Sequence, residues 1–197
     1  MSKLQYGKAL TACLSYLILH QRDAVSMVLF DDIIRNFIPR TGNLGSVHNI
    51  MTTLSNFNPT QQTNIATVLH SMAGQIKRKG IVILISDMLD DAGAITNALH
   101  QLRHAGHEVL LLHVMSPDEL RFPFGGWTTF EDVEHPPHQC RVDPAVMRST
   151  YLANLDHHLG ILRNAAHRLE IPYALIDTSQ ALDVALSKLT TGATDRQ

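Results

Sequence analysis

Ile81-Val82-Ile83-Leu84-Ile85-Ser86-Asp87 decides how the rest of the chain is read. Five consecutive apolar residues, four of them β-branched, fit a strand buried on both faces, as in a parallel sheet covered by helices. A helix segment is the alternative, because so short a run has no telling period. The flanks favour the strand: Gly80 opens it and two small polar residues close it. Ligands of open α/β sheets gather just beyond the carboxyl ends of strands, so Asp87 becomes the first functional candidate.

Similar runs lie on either side. Ala24 to Phe30, closed by Asp31-Asp32, and Glu108 to Val114 read as further buried strands, and Tyr173 to Asp177 as a last one. Ile33 to Ile38, ended by Pro39, suits a hairpin partner at a sheet edge. Helices are expected over about Tyr6 to His20 (apolar enough to be covered on most sides), Ser46 to Leu54, Asn64 to Lys79, Asp90 to Ala105, Pro144 to Leu169 and Ala181 to Leu189. Gly106 stops the fourth of these and Pro144 starts the fifth. Residues 116–144 break the rhythm. They read as an irregular loop and a small hairpin, Thr128 to Glu134 against Gln139 to Val142. Strands alternating with helices imply right-handed crossovers and a mainly parallel sheet, so the fold class is α/β. One domain over residues 1–189 and a disordered tail at 190–197 are expected.

Composition narrows the function. The chain has 197 residues, 45% hydrophobic and 17% charged, as in ordinary soluble globular proteins. A net charge of -2 provides no footprint for nucleic acid. The cluster Lys77-Arg78-Lys79 ends a helix, where cations complement the macrodipole. Cys13 lies in an apolar helix and Cys140 in a polar loop, without metal or disulfide spacing, and a reducing cytoplasm fits best. Neither a signal peptide nor a membrane span is legible.

Motif chemistry is sparse. Asp31-Asp32 with Asp87 invites a two-carboxylate reading, against the simpler one of a solvated turn. Of the 12 histidines, His135-x-x-His138 and His157-His158 lack zinc-site spacing and read as surface residues. His113 reads as a hydrogen-bonded core residue. Gly42-x-x-Gly45 lacks the P-loop lysine, and neither a nucleophile elbow nor a plausible cysteine nucleophile is present. The Phe122-Pro123-Phe124-Gly125-Gly126-Trp127 loop is a docking surface if exposed and a lid on the sheet if buried.

Several fragments, in order, resemble the von Willebrand factor A fold. They are Gly7 through Leu19, Arg22 through Asp32, Gln62-Thr63-Asn64-Ile65, Leu84 through Asp87 and Gly106 through Val114. The bacterial branch called domain of unknown function 58, associated with MoxR-type AAA+ ATPases, is the most similar. Phe122-Pro123-Phe124, Phe130-Glu131-Asp132, Val142-Asp143-Pro144 and Tyr151-Leu152 also look like that branch. The resemblance implies a Mg²⁺ or Mn²⁺ site at the top of the sheet, with Thr63 and Asp87 as ligands. Its Asp-x-Ser-x-Ser motif and the central strand carrying it have no counterpart in this chain, so the metal site is expected to be incomplete. The Ala24 to Phe30 and Ile81 to Asp87 strands would then pair directly, leave a gap, or accept a strand from elsewhere. A truncated or mis-started form of a longer protein is the reading this suggests. The bland roles are an N-cap for Thr63 and a turn cap for Asp87. The expected function is a non-enzymatic protein–protein interaction module working with a MoxR-type ATPase in protein assembly or maturation. The alternative is a Mg²⁺-dependent hydrolase using Asp87 with Asp31 or Asp32.

Overall fold

A computed structural model describes residues 1–59, 64–131 and 139–190. The architecture is α/β. Three parallel strands, β3 (Ile81–Ser86), β4 (Glu108–Met115) and β7 (Tyr173–Asp177), form one sheet in the order β3-β4-β7. A separate antiparallel hairpin pairs β1 (Val25–Phe30) with β2 (Ile34–Thr41). A second hairpin pairs β5 (Thr128–Glu131) with β6 (Gln139–Val142). Helices α1 (Lys3–His20), α2 (Ser46–Asn56), α3 (Ile65–Gln75), α4 (Ala92–His104), α5 (Pro117–Arg121), α6 (Pro144–Arg168) and α7 (Leu182–Thr190) complete the fold.

Alternation along β4 explains the layers, since successive side chains of a strand point to opposite faces. Val109 and Leu111 join a core with Leu84, with Ile65 and Leu69 of α3, with Ile95, Leu99 and Leu102 of α4, and with Leu162 of α6. Leu112 and Val114 face the other way, into a core with Tyr6 and Leu10 of α1 and Ala185 of α7. The sheet is thus covered by helices on both faces. A third cluster, Leu19, Met27, Ile38, Ile50 and Leu54, holds the β1-β2 hairpin against α1 and α2.

β3 departs from the expected doubly buried strand. Ile81 is 68% exposed and Leu84 is the one residue of the strand that is fully buried. Among the described residues β3 pairs with β4 and β1 with β2, and neither pairs with the other. Direct pairing of the two strands is therefore not what the described residues adopt. α1 spans the two sheets, with Tyr6 and Leu10 on one and Leu19 on the other.

Other boundaries shift for local reasons. α1 starts at Lys3, earlier than expected, because Ser2 and Gln5 form a capping box. Nor is it covered on most sides: Leu4, Tyr16 and Leu17 are exposed. β2 runs through Pro39 to Thr41. Its pairing slips between Met27↔Ile38 and Val25↔Thr41, a bulge that takes up the proline, which has no N–H to offer the ladder. α3 ends at Gln75, so Lys77-Arg78-Lys79 lies in the connection to β3 and not in a last helical turn. α4 starts at Ala92, with Asp91 as its N-cap. Gly106, at φ +87, stops α4 as expected of a left-handed position after a helix. Cys140 belongs to strand β6, not to a loop. The tail beyond residue 190, His135 and His138 lie outside the described residues. No described helix is long and apolar enough to cross a membrane.

Candidate functional site

Among the described residues, the carboxyl ends of β3 and β4 bring together a cluster of charged side chains. The turn after β3 is built by three contacts. Ser86 Oγ accepts the Met88 N–H at 3.2 Å, and Met88 adopts a left-handed φ of +50. The His158 Nε2–H of α6 donates to the Met88 carbonyl at 2.9 Å. The Met88 side chain itself is fully buried in the core beside Leu84 and Ile95. A left-handed non-glycine costs about 1–2 kcal/mol, and burying a methionine side chain recovers about 1.5–3 kcal/mol. The plug holds Asp87 at the end of the strand, partly exposed.

Among the described residues, the Asp87 side chain pairs with Lys3 and does not cap this turn. Its Oδ2 lies 2.8 Å from Lys3 Nζ, in the first turn of α1. The same ammonium lies 2.5 Å from Glu119 Oε1 of α5. Glu119 is itself fixed by a capping box: its Oε2 accepts the Ser116 N–H at 2.9 Å, and Ser116 Oγ accepts the Glu119 N–H. Burial works against the charged amine, but the attraction of Asp87 and Glu119 outweighs it and raises the Lys3 pKa above its ordinary 10.5. Three segments far apart in sequence meet at one nitrogen.

Neither Lys3 nor Glu119 stood out from the sequence. The signal that existed was Ser116-x-x-Glu119 after a strand, a capping-box pattern that predicts the short helix α5.

The other candidates separate from this cluster. Thr63 lies outside the described residues. The cap of α3 that was an alternative role for it belongs to Asn64, whose Oδ1 accepts the Thr67 N–H at 2.9 Å. Asp31 is fully buried, so its surroundings are not a solvated turn. Arg35 clamps Asp31 at 2.6 Å and Asp32 at 2.7 Å. These hydrogen bonds and charges raise the arginine pKa further, the hydrogen bond to Asp31 most. The two aspartates fasten the β1-β2 hairpin, and the Asp31 carbonyl accepts the N–H of Asn64 at 3.1 Å.

His113 is buried and lies 2.8 Å from the Tyr173 hydroxyl through Nδ1, as expected of a core histidine. Among the described residues its Nε2 has no partner within hydrogen-bond geometry. Burial lowers its pKa to about 4, with His158 and Arg163 acting in the same direction and the backbone and carboxylate of Asp87 opposing them. His157 is exposed as expected, but His158 is partly buried and serves the Met88 turn.

The Phe122 to Trp127 loop divides. Phe122 is buried against Phe124, Phe130 and Tyr151, with ring centroids 4.6 to 6.0 Å away. Trp127 is 71% exposed, with Arg141 stacked over it. A shallow cavity of about 350 Å³ on α6 is lined by Ile161, Asn164, His167 and Arg168, and by none of the residues above. Among the described residues no group of three or more His, Cys, Asp or Glu side chains is arranged to hold a metal ion.

Among solved structures, an aerotolerance-related membrane protein from Bacteroides fragilis NCTC 9343, carrying multiple mutations to serines, matches with a TM-score of 0.61. It is 17% identical, over 95% of this chain and 86% of that one. The conserved hypothetical protein BatB from Bacteroides thetaiotaomicron matches with a TM-score of 0.57 at 18% identity, over 96% of this chain and 88% of that one. At such identities the likeness concerns the fold. No curated protein matches. The family described as "Protein of unknown function DUF58" matches residues 1–158, most of the length, and the chain belongs to that family.

Proposed function

We propose that this chain is a non-enzymatic interaction module, a single domain over residues 1–189, that docks a protein partner on the loops at the carboxyl ends of β3 and β4. The observation that supports this best is the convergence of Lys3, Asp87 and Glu119 there, beside Leu89, which is 51% exposed. A charged cluster next to an apolar side chain is the composition of a small protein interface, polar at its rim and apolar at its anchor. The partner in this reading is a MoxR-type AAA+ ATPase, and the joint task is assembly or maturation of other proteins. A von Willebrand A-like architecture, with a central strand's place between β1 and β3, belongs to the same proposal. Its support is that each of these strands pairs on one edge among the described residues. A reducing cytoplasm is the proposed setting, and Cys13 and Cys140 are both free thiols.

The hydrolase alternative finds less support. Asp31 and Asp32 share Arg35 while Asp87 holds Lys3, so the carboxylates it needs are distributed over two separate ion-pair clusters.

Biolayer interferometry between the full chain and a purified MoxR-type ATPase tests the proposal. Saturable binding, weakened at least tenfold by Leu89→Arg and unchanged by Phe37→Arg on β2, is expected. Absence of binding, or equal loss in both variants, contradicts it.

A further inference from the structure

A lysine in the first turn of a helix is misplaced by the usual electrostatics. The helix N-terminus carries partial positive charge and favours acidic residues, yet α1 has none in its first turn and puts Lys3 there. Helix formation does not account for that position. What Lys3 touches does: Asp87 Oδ2 at 2.8 Å and Glu119 Oε1 at 2.5 Å, with all three side chains between 24% and 31% exposed. The ammonium stands between two carboxylates that come from different strand ends.

That is the place a divalent ion at Asp87 would take. Mg²⁺ asks for six oxygens at about 2.0–2.1 Å in near-octahedral order, and usually takes one or two of them from carboxylates. Here the carboxylate oxygens turned toward the common centre already converge on nitrogen, and the other Glu119 oxygen is held by the Ser116 N–H. The donor set therefore fits an ammonium and does not fit a metal ion while Lys3 is in place.

We propose that Lys3 is the resident cation of this site: its ammonium takes the position between Asp87 and Glu119, and a divalent ion binds there only when that ammonium is removed. The inference concerns the charge at the site and does not rest on the identity of a partner. Its physical basis is charge balance. With Lys3 the cluster carries a net charge of about -1. Without it, two carboxylates face each other at about -2, which repels itself and attracts a cation.

The test is Mn²⁺ alone, with free Mn²⁺ followed by electron paramagnetic resonance in titrations of the full chain at neutral pH. Wild type and Lys3→Arg are expected to bind at least tenfold more weakly than Lys3→Met. The gain is expected to vanish in Lys3→Met/Asp87→Asn. Near-UV circular dichroism checks that each variant is folded, and Lys3→Gln replaces Lys3→Met if the latter is not. A wild-type affinity within tenfold of the neutral variant, including no binding by either, overturns the proposal. Partner binding does not enter this measurement, so its failure is distinguishable from failure of the docking reading.

Discussion

The imidazole Nδ1 of His113 and the hydroxyl of Tyr173 lie 2.8 Å apart across the β4-β7 pair, with their rings edge-on at 5.8 Å. His113 stands opposite Ser86 in the β3-β4 register, beside the strand end that carries Asp87, so its titration reaches the stability of that end of the sheet. Burial holds His113 at about 4, whereas an unfolded chain titrates near 6.5. Between those values the unfolded state binds a proton that the folded state does not. The contribution is complete above about pH 6.5 and is lost as the pH falls toward 4, up to about 3 kcal/mol. Urea unfolding at pH 7.5 and pH 4.5 should show that loss in wild type and a smaller one in His113→Asn.

Met88 combines a strained backbone with a buried side chain, and these two effects oppose each other on substitution. Met88→Ala should destabilise by about 2–4 kcal/mol, because the lost packing exceeds any relief of the turn. Met88→Leu keeps the volume and should stay within about 1.5 kcal/mol of wild type. Chemical denaturation with both variants checks the order.

Phe122 and Trp127 lie five residues apart in one loop and should respond differently. Phe122 is 6% exposed and ringed by three aromatics, so Phe122→Ala should cost about 3–5 kcal/mol. Trp127→Ala removes a ring that meets solvent and one arginine, and should stay within about 1 kcal/mol. A thermal melt of each variant separates them.

Much of the architecture was legible from the chain. Glu108 to Val114 and Tyr173 to Asp177 are short apolar runs between helical stretches, the pattern of covered strands, and Pro144 marks the first turn of α6. The exposure of β3 was not legible. An edge strand backed by helices and a central strand can share one composition, and only the topology tells them apart. Asp87 was reachable because strand ends announce themselves. Lys3 and Glu119 were not, since the ion pair closes over 84 residues in one case and 116 in the other and depends on how α1 lies across the sheet. Local patterns locate elements, while contacts of that span are set by packing.

Hydrogen–deuterium exchange of the full chain, alone and with a purified MoxR-type ATPase, tests the central claim most directly. Protection should appear at residues 86–91 and 116–121, where Asp87, Leu89 and Glu119 stand at the carboxyl ends of β3 and β4. Protection confined to the β1-β2 hairpin, or none anywhere at saturating partner, would contradict the account.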